Sequence, residues 1–99
     1  MRYRLLSVAN EDLSSAITFY ERQSGGLGLQ FLDAFEEAIH RVLACPDAWT
    51  PVSANQRRCL FRRFPFALLY TLDEQGILVT AVMDLRRDPT RMDNRLGMT

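Results

Sequence analysis

The sequence predicts an α+β fold in which a strand, an antiparallel pair of helices and three antiparallel strands follow one another, in the order β-α-α-β-β-β. Three observations predict it. Between residues 13 and 42 apolar side chains recur with the 3.6-residue period of two helices, divided at Ser24-Gly25-Gly26. From Arg57 onward the pattern changes to apolar runs of strand length, RRCLFRRF, FALLYTL and ILVTAVMDL, with Asp73-Glu74-Gln75-Gly76 as the hairpin turn between the last two. Ahead of the helices, RYRLLSV alternates loosely and reads as a first strand.

Each element has its own local reason. Asn10, followed by Glu11 and Asp12, is a helix start, because a side-chain oxygen can cap free backbone N–H groups and acids suit the positive end of the helix dipole. Leu13, Ala16, Ile17 and Tyr20 then form one apolar stripe, and Phe31, Ala34, Phe35, Ala38, Ile39 and Val42 form the second, with Asp33, Glu36, Glu37 and His40 interleaved. A short glycine turn between two such helices makes an antiparallel hairpin. CPDAWTPVSAN, which carries Pro46 and Pro51, reads as a loop whose Trp49 folds back onto the core or lies beneath a partner. In the middle strand, Phe66, Leu68, Tyr70 and Leu72 share the face that packs on the helices, and Ala67, Leu69 and Thr71 share the other.

A chain of 99 residues is long enough for one compact core and too short for two, so residues 1–99 are expected to form a single domain. Its 47% hydrophobic and 24% charged residues, with five glycines and four prolines, are those of an ordered globular protein. Cys45 and Cys59 lack C-x-x-C spacing, and one histidine beside two scattered thiols is a poor metal set, so reduced, structural thiols and no metal or cofactor are expected. No apolar run approaches the length that spans a bilayer, and MRYRLLSVANED lacks the apolar core of a secretory signal. The expected location is the cytoplasm, without membrane contact.

Net charge is zero, yet it is unevenly laid out: residues 1–56 hold four arginines against seven acids, and residues 57–99 hold eight against five. Every basic residue is arginine. Glycine-rich phosphate loops and zinc spacings are absent, His40 sits mid-helix beside Arg41 as a solvated residue, and the paired acids Asp73-Glu74 belong to a turn. What remains is a set of arginines, Arg57, Arg58, Arg62 and Arg63 around one strand and Arg86, Arg87, Arg91 and Arg95 after the last. An antiparallel ladder can bring the start of one strand beside the end of another, and the resulting patch would suit phosphate, carboxylate or an acidic protein surface. The bland alternative is that Asp84, Asp88 and Asp93 take these arginines into surface ion pairs of small energy.

With the elements in this order, the chain resembles the RelE/ParE superfamily of type II toxin-antitoxin toxins. The resemblance covers nearly the whole chain and is carried by Arg63-Phe64-Pro65-Phe66 leading to Tyr70, by Ala81-Val82 leading to Arg86-Arg87-Asp88-Pro89, and by LGLQFLDAFEEAIHRVLACP from Leu27 to Pro46. It implies a small bacterial toxin neutralised by a cognate antitoxin that wraps an extended or helical segment around it, as a toxin-antitoxin hetero-oligomer. Two activities are implied as alternatives: ParE-like members block DNA gyrase, and RelE-like members cleave mRNA on the ribosome without metal.

RNA cleavage through a 2′-hydroxyl needs a proton acceptor, cations for the developing phosphorane charge and an acid for the leaving oxygen. The resemblance implies a basic residue on the middle strand, where this chain has Ala67, and a tyrosine in the C-terminal tail, where it has none after Tyr70. Arg87 matches a basic position of the family and is the one weak catalytic candidate; Asp84 stands about where other members carry a histidine, and Asp84 or Asp93 could serve as base. These departures tilt the expectation toward a ParE-like activity. Arg58, Arg62, Arg63, Arg86, Arg87 and Arg91 are the candidate contacts to gyrase or to ribosome-bound mRNA, and a non-enzymatic interaction module is the third reading. Leu29, Leu32 and Leu43, off the main stripe of the second helix, are the candidate antitoxin contacts, with packing of a wide stripe as the competing reading.

Overall fold

A computed structural model of the chain describes residues 2–87. Strand β1 (Tyr3–Leu5) leads into helices α1 (Ser7–Gln23) and α2 (Leu27–Ala44), then strands β2 (Thr50–Pro51), β3 (Arg57–Leu60), β4 (Phe66–Asp73) and β5 (Gly76–Asp84). The expected α+β class and the order of helices and long strands are those observed. The three antiparallel strands β3, β4 and β5 form the body of an open five-stranded sheet of order β1-β5-β4-β3-β2. Its two margins differ from expectation: β1 lies parallel to β5, with Tyr3 opposite Ile77, and the segment read as a loop contributes β2, paired to β3 through Thr50–Arg58 and Pro51–Arg57.

The helices cover one face of the sheet. Phe31, Ala34, Phe35, Ala38, Ile39 and Val42 of α2 are buried, as are Leu13, Ala16 and Tyr20 of α1, which meets the stripe expectation. The pair is drawn together at Gly28, where a Cβ would stand 2.9 Å from the Ile17 carbonyl oxygen, so only glycine allows this approach. Glu21 completes the turn by accepting the Gly26 N–H at 3.1 Å and the Gly28 N–H at 3.0 Å, so that a side chain of α1 caps the free donors of α2.

Helix α1 starts at Ser7, three residues before the expected Asn10 cap, and no side chain caps it. The Leu6 N–H donates to the Val79 carbonyl at 3.0 Å and the Leu6 carbonyl accepts from Asn10, so docking of β1 on β5 launches the helix directly. Asp12 serves the sheet instead of the helix start, its Oδ2 accepting the Val82 N–H at 3.0 Å, beyond the point where β1 stops. Helix α2 does the same at the opposite margin, where Arg41 Nη2 donates to the Leu60 carbonyl at 2.9 Å. Arg41 is itself held by Glu37 at 2.8 Å and stacked on Trp49, which packs against the core as one of its two expected placements.

In β5 the alternation is broken once. Leu69 pairs with Ala81 and Tyr70 with Val79, leaving Thr80 as the extra residue of a bulge. Ile77, Val79 and Val82 therefore face the helices, whereas Ala81 and Met83 join Leu69 on the other face. Phe66, Leu68 and Tyr70 enter the helix-side core as expected; Leu72 does not, being 40% exposed next to the turn. Phe31 lies at the centre of that core, with ring centroids of Tyr20, Phe61, Phe64 and Phe66 between 4.8 and 5.4 Å away. No helix among the described residues is long and apolar enough to cross a membrane.

At the turn, Gly76 adopts φ +116°, and a Cβ there would stand 2.3 Å from the Arg2 carbonyl oxygen that receives the Ile77 N–H. Replacing Gly76 by Ala is expected to cost at least about 2 kcal/mol, since it adds backbone strain and pries β1 off β5. Gly25→Ala, whose Cβ would meet only Glu21 Oε2 at 4.0 Å, should stay within about 0.5 kcal/mol of the parent. Urea unfolding of the two variants checks the contrast.

Candidate functional site

The ladder brings the entrance of β4 against the exit of β5. Phe66 pairs with Asp84, and the Leu85 N–H reaches past it to the Pro65 carbonyl at 2.9 Å. The β3–β4 connection is tight, because the Phe61 N–H closes onto the Phe66 carbonyl at 2.9 Å and the Phe66 N–H onto the Phe64 carbonyl at 2.7 Å. Phe61 and Phe66 are buried in the aromatic core and Phe64 packs against it, so the intervening Arg62 and Arg63 must project outward. RCLFRRFPF thus supplies ring anchors and exposed guanidiniums from one short loop.

Four of the expected arginines lie at this end of the sheet, Arg62 and Arg63 on the α2 side and Arg86 and Arg87 after β5. They are not equally held. Arg86 forms a two-pronged pair with Asp84, Nε to Oδ1 and Nη2 to Oδ2 both at 2.9 Å, and its guanidinium lies over the rings of Phe19 and Phe66 at 5.9 and 6.0 Å. Arg87 approaches Asp84 at 3.9 Å with its side chain 68% exposed. Arg62 lies 3.6 Å from a Glu37 carboxylate already engaged by Arg41, and Arg63 donates to the Gln30 side-chain oxygen at 2.9 Å. Arg62, Arg63 and Arg87 are therefore the loosely held cations, while Arg86 is a fixed part of the frame.

Arg58 does not belong to this cluster. It stands opposite Leu69 in the interior of the sheet, half-buried and without an ion-pair partner among the described residues. Arg91, like the alternative base Asp93, lies outside the described residues. Of the three leucines, Leu29 is 63% exposed, whereas Leu32 and Leu43 are half-buried and pack against the core, so they do not form one equally open patch. The residue that sequence reasoning missed is Phe19. It is 47% exposed and sits off the apolar stripe of α1, a position that on its own signals nothing until the fold places Arg86 over it.

Asp84 is the carboxylate in contact with Arg86 and Arg87, and the tyrosine and thiol elsewhere in the sheet offer little more proton-transfer chemistry. Hydrogen bonds from Arg86, opposed in part by burial, hold the Asp84 carboxyl below its ordinary range, which makes it a weak proton acceptor. Tyr70 is fully buried, its hydroxyl donates to the Pro46 carbonyl at 2.6 Å, and burial pushes its pKa up to about 12 despite the opposing field of Arg57. Cys59 is buried, and desolvation raises its thiol as well, as suits a structural residue. His40 is exposed on α2, and no three His, Cys, Asp or Glu side chains gather as a metal site among the described residues.

Neither a protein-family model nor a curated protein matches the sequence. Among solved structures, the fold is similar to a chain of the chromosomal ParDE TA system from P. aeruginosa, with a TM-score of 0.66 and 18% identity over 86% of this chain and 96% of that chain. The likeness is one of fold: strand, helix pair and open antiparallel sheet in the same arrangement.

Tyr70 gives a pH test of the buried hydroxyl. Because its folded-state pKa is raised from 10.0 to about 12, the stability it confers is present in full below pH 10 and is lost as pH rises between those values. In Tyr70→Phe, alkaline unfolding should lose this step, at a cost near neutral pH of about 1 kcal/mol for the hydrogen bond to Pro46. Absorbance of tyrosinate during an alkaline titration, read beside circular dichroism, checks both parts.

Proposed function

We propose that this chain is the toxin of a type II toxin-antitoxin pair and that it acts by gripping a protein surface, with DNA gyrase as the target. The observation that carries the reading is the cluster at the sheet's end: three loosely held guanidiniums and an arginine-stacked aromatic, beside a carboxylate clamped by Arg86, while the buried Tyr70 hydroxyl lies away from them, committed to the Pro46 carbonyl. Such a set binds strongly and transfers protons poorly. Arginines beside an aromatic ring are the residue types that anchor protein interfaces, and acidic or polar partner groups would pair with Arg62, Arg63 and Arg87. The fold shared with a chain of a ParDE system supports the toxin part of the reading and says nothing about the target.

Neutralisation by a cognate antitoxin is the second half of the proposal. Leu29, exposed on α2 near Arg63 and its partner Gln30, is the contact this reading retains most readily, and Leu32 and Leu43 would add to it only where their outer atoms remain open. The same loose guanidiniums also suit phosphodiester groups, which keeps cleavage of ribosome-bound mRNA as the specific alternative.

Induced expression should arrest growth, and co-expression of the cognate antitoxin should relieve the arrest. Purified protein should inhibit gyrase supercoiling, and the Arg62→Ala/Arg63→Ala double variant and Arg87→Ala should each raise the half-inhibitory concentration about tenfold, the weight of one interface anchor. Cuts in ribosome-bound mRNA by toeprinting, with supercoiling unaffected, would transfer the activity to the nuclease reading. Normal growth on induction would leave an interaction module without toxicity.

A further inference from the structure

At the end of the sheet opposite the arginine cluster, the loop after α2 folds beside the end of β4 and borders a solvent-open cavity of about 220 Å³. Its lining is polar: Asp47, Ser53, Asn55, Gln56, Arg57 and Thr71 account for its hydrogen-bonding groups. Arg57 decides its character. The residue is half-buried, one Nη1–H donates to the Trp49 carbonyl at 2.7 Å, and no carboxylate of the described residues stands within the 4.0 Å of an ion pair. Withdrawing a guanidinium from water without a counter-charge is costly, and the remaining N–H fork is of the shape that takes a carboxylate or phosphate with two hydrogen bonds.

The neighbours add donors to that fork. The Gln56 side-chain oxygen is occupied by the Thr80 hydroxyl at 3.3 Å, which leaves its amide N–H₂ for the cavity. Ser53, Asn55 and Thr71 have side-chain hydrogen-bonding groups with no partner among the described residues. Asp47 is the single acid of the lining. An anion seated on Arg57 is therefore best accommodated when its far end carries a donor or a positive charge to meet Asp47.

We infer that this cavity is a binding site for a small oxyanion ligand, a carboxylate or a phosphate, held by Arg57 with Gln56, Asn55 and Ser53 as supporting donors. The site is separate from the arginine cluster and stands independently of any toxicity.

The test is a titration of the isotope-labelled full chain by NMR at fixed ionic strength, with inorganic phosphate, acetate and glycine as three separate probes. Saturable shifts at the backbone of residues 53–57 and at the Arg57 Nε–H are expected. A response to phosphate alone assigns a phosphate ligand; a response to acetate as well assigns a carboxylate; tighter binding of glycine than of acetate, abolished in Asp47→Asn, assigns a carboxylate with an adjacent ammonium. Arg57→Gln should weaken binding at least about tenfold. Because Arg57 also braces Trp49, a second variant, Asn55→Asp, places a carboxylate in the cavity from an exposed loop position and should weaken binding equally with an unchanged melting curve. Shifts confined to residues 62–63 and 84–87, shifts that survive in both variants, or no saturable response to any probe would overturn the inference.

Discussion

Phe31 is the residue on which the remaining geometry rests. Its ring is fully buried and touches Tyr20 of α1, Phe61 and Phe64 of the β3–β4 connection and Phe66 at the start of β4. One side chain on α2 thus joins the other helix, the loop and the sheet. Burying rings of this size contributes several kcal/mol each, more than any surface ion pair in the chain can supply. The arginine loop has no regular backbone ladder of its own between Phe61 and Phe66, so its shape is set from below by these rings. Rigidity in the core and looseness in the guanidiniums are therefore two aspects of one packing arrangement.

The same division explains how arginine is used here. Arg41 and Arg86 are structural: one is tied to Glu37 and a strand carbonyl, the other forked onto Asp84 and stacked on two rings. Arg62, Arg63 and Arg87 have long or neutral contacts and keep most of their binding capacity. Arg57 is the intermediate case, half-buried and braced by a carbonyl, with no carboxylate of the described residues within ion-pair distance. A chain with no lysine has differentiated its arginines by what each touches rather than by residue type.

Much of this was legible in the sequence where one physical rule acted alone. The stripes of α1 and α2 announced their buried faces, Ser24-Gly25-Gly26 its turn, and the apolar runs after Arg57 their strands. The start of α1 departs from the local pattern because Asn10-Glu11-Asp12 carries capping chemistry, whereas the helix is launched by the Leu6–Val79 hydrogen bond across the sheet. β2 was hidden because two residues containing a proline carry no strand period, and the bulge at Thr80 because both faces of β5 are apolar. At the candidate site, the placement of Arg62 and Arg63 at the same end of the sheet as Arg86 and Arg87 followed from antiparallel pairing. Which of them would be clamped, and that Phe19 would lie beneath one of them, depends on contacts between elements that no local pattern encodes.

The margins of the sheet matter beyond the single molecule. An unpaired strand edge is a template for further strands, and here β5 outruns β1 just as β3 outruns β2. Asp12 occupies a donor on one margin and Arg41 an acceptor on the other. A second chain pairing with these overhanging stretches of β5 or β3 would have to displace a charged side chain that is anchored in a helix and return it to water. At those two stretches the helices thus oppose strand addition, the step by which partly folded chains crowded together begin to aggregate.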